Sequence, residues 1–301
     1  MSEPIVFFNR HTGVVERERI YGEGPLRWVY ETAVGRLALW ALVRRGVFSR
    51  WFGWRMRGGG SRWRVGEFVR EFGLDAGEFE RGVGEFVSFD DFFSRKLRPG
   101  ARLVEGGGDV AVFPADGRHL GFEDVSRVGG IYAKGQVFDL GALLGDGELA
   151  ERYRRGAVVC SRLCPVDYHR FHFPVGGRPA GRRLLNGWLY SVSPVALRRN
   201  VAWLWENKRC CVSVDAGAWG VVTVVVIGAT NVGSMTFTFR EGEVVEKGAE
   251  MGFFGFGGSF MVTLFEPGRI ALAGDLVRES AAGRELYVRM GGELGRLACA
   301  G

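Results

Sequence analysis

Cysteine and histidine are scarce in this chain, and it has no long apolar run. Its 301 residues include five cysteines and four histidines. The cysteines have no paired Cys-x-x-Cys spacing, which favours buried, reduced thiols over disulfides or a metal site; they are Cys160, Cys164, Cys210, Cys211 and Cys299. We therefore expect no metal. The lack of any stretch of about 18 uncharged apolar residues argues against a membrane-spanning helix.

The N-terminus does not have the pattern of a signal peptide. Met1-Ser2-Glu3-Pro4 is not a basic region followed by an apolar one. The sequence therefore predicts a protein of the cytoplasm, or a peripheral protein on the cytoplasmic face of the membrane. The net charge is +6. No recognised nucleic-acid module surrounds the basic residues, so we expect no nucleic-acid partner.

What the chain does have is enough apolar sequence to build a large core. Hydrophobic residues make up 47% of it, which allows one large domain, or a small N-terminal element and a larger second domain. From about residue 108 onward, short strand-like runs alternate with Gly-rich and polar turns. This pattern predicts an α+β protein with a β-rich domain of antiparallel sheets, barrel-like or sandwich-like, preceded by amphipathic helices.

The segment 25–57 differs in character from the rest of the chain. Apolar residues recur there at helical spacing after Pro25, and arginines alternate with the tryptophans Trp28, Trp40, Trp51 and Trp54. This composition is typical of a helix that lies in a membrane interface and binds anionic headgroups. The alternative is an ordinary amphipathic helix that packs on the core and whose arginines are solvated.

The run Gly58-Gly59-Gly60-Ser61 comes directly after this segment, and its composition favours a hinge. It divides the chain into an N-terminal membrane-associating segment, residues 1–60, and a second domain, residues 61–301. Phenylalanines recur on the faces of the polar, helical stretch 65–99. We interpret them as core residues.

A Gly-Gly-Ser triplet near the C-terminus is the candidate reaction centre. The chain there is Phe256-Gly257-Gly258-Ser259-Phe260. Two glycines before a serine remove Cβ crowding and admit unusual backbone angles, so the hydroxyl can approach its own preceding carbonyl. In a chain with 48 glycines, the triplet by itself is more typical of an ordinary turn.

Several other segments resemble, in the same order, those of the phosphatidylserine decarboxylase family. They are SFDDFFSRKLRPG (88–100), FPADGR (113–118), KGQVFDLGALLG (134–145), PVDYHRFHFPVGG (165–177), NVAWLWENKR (200–209) and VVVIGATNVGSM (224–235). The resemblance spans roughly residues 88–270. It implies a pyruvoyl-dependent, self-processing proenzyme, and makes residues 61–301 a catalytic decarboxylase domain.

As the resemblance implies, the proenzyme cuts itself between Gly258 and Ser259 and converts Ser259 into a covalent pyruvoyl group. The β chain then ends at Gly258 and the α chain begins at Ser259. The implied self-processing triad is Asp116, His172 and Ser259. A serine hydroxyl is a poor nucleophile at its free pKa, so His172 would take its proton and Asp116 would hold the imidazole in the right tautomer.

His169, three residues before His172, is assigned to handling the substrate carboxylate or to returning a proton after decarboxylation. Without the resemblance, two histidines in one segment could equally be metal ligands or core residues. Phe260 departs from the family pattern, in which a small hydroxylated residue often follows the serine. Three residues are candidate headgroup contacts because of their neighbourhood: Arg170, Arg198 and Asn200.

The resemblance implies decarboxylation of phosphatidylserine to phosphatidylethanolamine through a Schiff base on the pyruvoyl group. The composition of the segment 25–57 predicts an anionic phospholipid membrane as a partner. The resemblance implies that the α and β chains made by the cut stay together and that the protein forms a homodimer. Two alternatives stay open. One is a pyruvoyl enzyme for a soluble amino acid, and the other is a non-catalytic homologue that binds lipid.

Overall fold

A computed structural model describes residues 4–40, 44, 46–128, 132, 135–229, 235–257 and 259–298. Its helices are α1 (Glu23–Glu31), α2 (Ala33–Ala38), α3 (Gly46–Arg57), α4 (Trp63–Phe72), α5 (Phe89–Phe93), α6 (Leu140–Leu144), α7 (Gly147–Tyr153), α8 (Pro194–Leu197), α9 (Trp203–Glu206) and α10 (Gly274–Ala281). Its strands are β1 (Val6–Asn9), β2 (Val14–Arg17), β3 (Val110–Val112), β4 (Gly117–Phe122), β5 (Ala157–Leu163), β6 (Arg170–His172), β7 (Arg178–Leu185), β8 (Arg209–Asp215), β9 (Val221–Gly228), β10 (Met235–Phe237), β11 (Glu250–Phe254), β12 (Ser259–Phe265), β13 (Ile270–Leu272), β14 (Glu285–Val288) and β15 (Glu293–Leu297).

Nine strands form one large sheet in the order β2-β1-β14-β4-β5-β12-β9-β8-β7. Neighbouring strands are antiparallel except β1 and β14, which are parallel. The central strands are rich in β-branched residues, which suit a sheet buried on both faces. The predicted α+β class with antiparallel sheets is confirmed. Over the described residues the sheet is open, with β2 and β7 at its edges, unlike the closed form of the barrel-like alternative.

The large sheet has a hydrophobic core on each face, because successive side chains of a strand point to opposite sides. Met261 of β12 packs into the first core, together with residues of two three-stranded sheets, β10-β11-β6 and β13-β15-β3. Phe260 and Val262 pack into the second core, which helices α6 to α9 cover. β12 therefore runs through the middle of the protein.

Over its described residues, the segment 25–57 forms the helices α1, α2 and α3, in agreement with the predicted amphipathic helices. α1 ends at Glu31, and Thr32 has an extended backbone with φ −96° and ψ 155°. The Thr32 hydroxyl accepts a hydrogen bond from the Gly35 N–H at 3.0 Å and so caps the start of α2. The helical character is confirmed, but the threonine cap breaks its continuity.

The N-terminal segment is tied to the rest of the chain by strand pairing and by buried hydrogen bonds. β1 extends the large sheet by pairing Phe7 with Glu285 and Phe8 with Leu286. Ser61, at the predicted hinge, is buried, and its hydroxyl donates to the Met56 carbonyl and accepts from the Phe89 N–H. The domain boundary near residue 60 stays a prediction.

The phenylalanines of the stretch 65–99 form a hydrophobic cluster, which confirms their interpretation as core residues. Six of them are buried: Phe68, Phe79, Phe86, Phe89, Phe92 and Phe93. The ring of Phe256 joins the cluster, with its centroid 5.1 Å from that of Phe89 and 5.0 Å from that of Phe93. The cluster thus supports the chain just before Ser259.

Across the described ranges, no helix combines the length and the apolar character needed to cross a membrane. Four cysteines are buried and unpaired: Cys160, Cys164, Cys210 and Cys211. Cys299 lies outside the described residues. Cys160, Cys210 and Cys211 therefore act as core side chains.

Candidate active site

Ser259 is the first residue of β12, in the middle of the large sheet. It pairs with Leu163 of β5 and Gly228 of β9, and it is 0% exposed. Two residues earlier, Gly257 has φ 139°, a value that other residues rarely adopt, so a glycine is required there. Gly258, the other residue at the predicted cut, lies outside the described residues.

His169 is the histidine that the fold brings to Ser259. Its Nδ1 lies 3.3 Å from Ser259 Oγ. On the opposite side of the ring, Nε2 lies 2.9 Å from the carbonyl oxygen of Cys164. Because a carbonyl oxygen only accepts, Nε2 carries the ring proton and Nδ1 is left as an acceptor. The ring is therefore oriented to accept the proton of the serine hydroxyl.

Burial keeps the His169 imidazole neutral. Desolvation, followed by the charge of Arg95, lowers the pKa of His169 to about 3. The ring of Phe93 stacks on the imidazole with 3.8 Å between centroids. The His169 carbonyl accepts a hydrogen bond from the Phe254 N–H at the end of β11. A neutral base is thus fixed beside a buried hydroxyl.

Helix α5 holds the chain that leads to Ser259. Its start is capped by Ser88, whose hydroxyl accepts a hydrogen bond from the Asp91 N–H. Within the helix, the Asp90 carboxylate accepts a hydrogen bond from the Phe256 N–H at 2.9 Å. The same helix carries Phe93, which stacks on His169. α5 therefore positions both partners of the contact between His169 and Ser259.

His172 lies on β6 and makes no hydrogen bond to Ser259 or Asp116 in the part of the chain that the structure describes. Its Nδ1 is buried without a hydrogen-bond partner there, and its ring lies 5.8 Å from that of Tyr168. Desolvation lowers the pKa of His172 to about 4, although the charges of Glu250 and Asp116 act in the opposite direction. Asp116 is thus close enough to act on the ring electrostatically.

Asp116 is buried, and its carboxylate is bound to Arg102. The Arg102 guanidinium donates to it from Nε at 2.9 Å and from Nη2 at 2.6 Å, and the Met290 N–H donates at 2.8 Å. The predicted triad is therefore assembled only in part. Ser259 meets a histidine, but that histidine is His169, and the processing roles of Asp116 and His172 stay predictions.

Sequence reasoning missed a set of buried charges beside the site. Arg118 Nη1 donates to both carboxylate oxygens of Asp167, at 2.7 and 2.6 Å. Asp167 in turn accepts a hydrogen bond from the Cys164 N–H at 2.6 Å. Nearby, Arg162 of β5 pairs with two glutamates. Arg162 stands inside the apolar, strand-like run GAVVCSRL. A charged residue in such a run indicates a buried charge that needs a partner.

Four other residues were singled out from the sequence: Phe260, Arg170, Arg198 and Asn200. Phe260 is 0% exposed and fills the second core, so the large residue after the serine is accommodated by packing. Arg170 donates to Glu250 at 2.8 Å. Arg198 is exposed, and Asn200 accepts a hydrogen bond from the Ala202 N–H. Their predicted headgroup contacts stay predictions.

A buried serine that starts a central strand, with a neutral imidazole at its hydroxyl, has the geometry of an enzyme that uses serine chemistry. The model of the phosphatidylserine decarboxylase family matches residues 89–296. A "Phosphatidylserine decarboxylase proenzyme" from Chlamydia muridarum is 43% identical over 295 residues, 98% of each chain. Relatives of the same name come from Chlamydia caviae, 38% identical over 96% of this chain and 97% of that one, and from Fusobacterium nucleatum, 36% identical over 97% and 98%.

This chain belongs to the phosphatidylserine decarboxylase family. The resemblance inferred from the sequence motifs is thereby confirmed, and the protein is a decarboxylase, which is a carboxy-lyase. The name of its relatives identifies them as proenzymes.

Proposed function

We propose that this chain is a phosphatidylserine decarboxylase proenzyme that cuts its own backbone between Gly258 and Ser259 and forms a pyruvoyl group from the serine. The observation that carries the proposal is the 3.3 Å contact between Ser259 Oγ and the unprotonated Nδ1 of His169. Family membership supports the reaction type. After the cut the protein consists of a β chain that ends at Gly258 and an α chain that begins at Ser259.

The first step needs a base for the serine hydroxyl. His169 Nδ1 takes the hydroxyl proton while Ser259 Oγ attacks the carbonyl carbon of Gly258. The C–N bond breaks, the proton passes to the released amine, and an ester joins Gly258 to the Ser259 side chain. Because Ser259 is 0% exposed, bulk water is kept away from its hydroxyl.

The second step breaks this ester by elimination. A base removes the Cα proton of Ser259, the electron pair forms a Cα=Cβ double bond, and the Gly258 carboxylate leaves. The dehydroalanine tautomerises to an imine, and one water replaces the nitrogen, which leaves as ammonia. Residue 259 is then a pyruvoyl group.

The surroundings of Ser259 fit such a group. It is uncharged, so it suits a position enclosed between β5 and β9 and 0% exposed. When formed, it supplies a ketone that takes up the substrate amine and accepts the electron pair released with carbon dioxide. His169, whose Nδ1 lies 3.3 Å from Ser259 Oγ, would return a proton there, which is one of the two roles that the resemblance implies for it.

We assign the first proton transfer to His169 because it is the imidazole within reach of the hydroxyl. The resemblance assigns the same step to His172, with Asp116 as its partner. His172 has a buried Nδ1 without a hydrogen-bond partner among the described residues. If His169 is the base, the His169→Ala protein should fail to mature at the normal rate. If His172 is the base, the His172→Ala protein should fail instead.

We further propose that the protein binds an anionic phospholipid membrane through α1 to α4. Large apolar side chains are exposed along this segment: Trp28, Val34, Leu37, Trp40, Trp51, Trp54 and Trp63. A cleft of about 510 Å³ between α3 and α4 is lined by Trp54 and Trp63 and by three arginines, Arg55, Arg57 and Arg64. Exposed indoles beside guanidinium groups suit the boundary between acyl chains and anionic headgroups.

A double variant, Trp40→Glu with Trp54→Glu, should bind vesicles of phosphatidylserine and phosphatidylcholine at least tenfold more weakly than the wild type. These indoles are 60% and 72% exposed, and burying about 100 Å² of each at roughly 25 cal/mol per Å² contributes about 2.5 kcal/mol per residue. Vesicle co-sedimentation measures the loss. Point changes are preferable to deleting residues 1–60, because the deletion would remove β1 and β2 from the sheet.

The control for this variant is Leu103→Glu with Val244→Glu, which adds the same charge at exposed apolar positions outside α1 to α4. Those residues are 74% and 69% exposed. Equal weakening in the two double variants would mean that the added charge, not the helices, controls binding. The cytoplasmic face and the homodimer stay predictions.

Intact-mass spectrometry of the purified wild-type protein tests the cut. We expect two chains, residues 1–258 and 259–301, with the second lighter than its encoded mass by one ammonia. Incubation with phosphatidylserine vesicles should then give phosphatidylethanolamine and carbon dioxide. A single uncut chain would favour the non-catalytic homologue, and a cut protein that acts on a soluble amino acid alone would favour the other alternative.

A further inference from the structure

A buried glutamate from the N-terminal segment lies at the centre of the charges beside the site. The side chain of Glu18 is 3% exposed, and its two oxygens accept hydrogen bonds from Arg162 at 3.0 and 2.6 Å. Burial raises the pKa of Glu18, but the charge and hydrogen bonds of Arg162 outweigh it, so the pKa is lowered. Glu18 is therefore held as a carboxylate.

Glu18 contacts two further groups, the Cys164 thiol and Arg118. The Cys164 sulfur also accepts a hydrogen bond from Arg162 Nη1 at 2.9 Å. The Cys164 thiol donates to Glu18 Oε1 at 3.2 Å. Arg118 Nε, which is buried without a hydrogen-bond partner among the described residues, lies 3.7 Å from Glu18 Oε2. Glu18 thus fixes the side chain of Cys164 directly and balances the charge of Arg118.

Cys164 connects this glutamate to His169. Its thiol is bound by Glu18, its N–H donates to Asp167 at 2.6 Å, and its carbonyl accepts the proton of His169 Nε2 at 2.9 Å. Asp167 is held in turn by Arg118. The orientation of the Cys164 carbonyl decides which nitrogen of His169 carries the proton, and so whether Nδ1 can accept from Ser259.

We propose that Glu18 is a positioning residue for self-cleavage: it holds Cys164 and Arg118 so that the Cys164 carbonyl keeps His169 protonated at Nε2 and Nδ1 free toward Ser259. The inference rests on the proposed self-cleaving function. It makes the N-terminal segment, which carries Glu18 directly after β2, a part of the processing site. Efficient self-cleavage therefore requires this segment to be docked on the sheet.

Glu285 provides a matched control for Glu18. It is the second carboxylate on Arg162, with its oxygen 2.9 Å from Arg162 Nε, and it is also buried. Its side chain accepts hydrogen bonds from Arg162 and from the Tyr132 hydroxyl, whereas the Cys164 thiol donates to Glu18. Glu18→Gln and Glu285→Gln thus remove one charge each from the same arginine, but only the first changes the group that accepts the Cys164 thiol proton.

The test compares self-cleavage of the freshly synthesised proteins and the ring tautomer of His169. We expect Glu18→Gln to slow self-cleavage at least tenfold relative to Glu285→Gln. In the uncut Ser259→Ala background, 15N chemical shifts should show proton on Nε2 in the Glu285→Gln protein and a mixture of tautomers in the Glu18→Gln protein. Glu16→Gln, two residues earlier and outside the buried network, should cut at the wild-type rate.

Equal cutting rates and the same Nε2 tautomer in the Glu18→Gln and Glu285→Gln proteins would overturn the inference. If Glu18→Gln does not fold in the Ser259→Ala background, Glu18→Asp and Glu285→Asp replace the pair, with the slower rate expected for Glu18→Asp and equal rates contradicting the inference. A wild-type protein that never cuts would instead refute the proposed function, so the two failures are distinguishable.

Discussion

The Ser259→Ala protein should remain one uncut chain of 33.2 kDa, without decarboxylase activity. Alanine occupies less space than serine at this 0% exposed position and keeps the pairing of β12 with its neighbours, so the fold is retained. Without Oγ no ester forms at Gly258. The elimination therefore cannot take place, and no pyruvoyl group is made. Intact-mass spectrometry over the time in which the wild type matures measures the effect.

The chain contains a second buried serine and histidine pair that serves as the control. Ser161 Oγ lies 2.9 Å from His119 Nδ1, and both residues are 0% exposed. Ser161→Ala removes the same atom from a similar environment but does not touch the cut. It should mature as the wild type does. Cleaved chains from Ser259→Ala, or an uncut Ser161→Ala protein, would each contradict the assignment of the nucleophile.

The His169→Ala protein should mature more slowly than the wild type by about two to four orders of magnitude, the usual contribution of a positioned general base. The imidazole at 3.3 Å from Ser259 Oγ is then missing, and the hydroxyl has no acceptor for its proton. His172→Ala, measured beside it, should mature faster than His169→Ala, because His172 makes no hydrogen bond to Ser259 in the described structure. His119→Ala controls for the loss of a buried histidine.

The pH dependence of maturation gives a second test of the same base. A base acts in its neutral form, and the pKa of His169 is lowered to about 3 by burial and by Arg95. Titration of His169 should therefore leave the rate of self-cleavage nearly constant from pH 8 to about pH 5. The rate should fall only as the pH approaches the lowered pKa of His169. A base with the ordinary histidine pKa of about 6.5 would lose most of its activity over that range.

The opposite result is that the His172→Ala protein stays uncut while the His169→Ala protein matures. It would support the triad that the family resemblance implies. In that case Asp116, which Arg102 holds in this structure, would act on His172 during processing. The measurement thus decides between the two histidines without assuming which conformation the reaction uses.

Much of the fold was predictable because it depends on local features. The strand-like runs after residue 108 became antiparallel strands, and the phenylalanines of the stretch 65–99 became a cluster. The break at Thr32 was not predicted, because a threonine in a helical pattern acts as an N-cap only where the preceding residue ends a helix. The pairing of β1 with β14 joins residues near opposite ends of the chain, and no local pattern encodes it.

The sequence by itself determined the chemistry that this protein can perform: a serine after two glycines, two histidines in one segment, and the motifs of its family. These are properties of residue type and short spacing. Only the tertiary structure decided which histidine meets Ser259, since His169 and His172 are three residues apart. His172 pairs with Glu250 of β11, whereas the ring of His169 lies beside Ser259. Only the tertiary structure brought Glu18 to Arg162, because the buried charges attract one another across folded strands and have no shared sequence pattern.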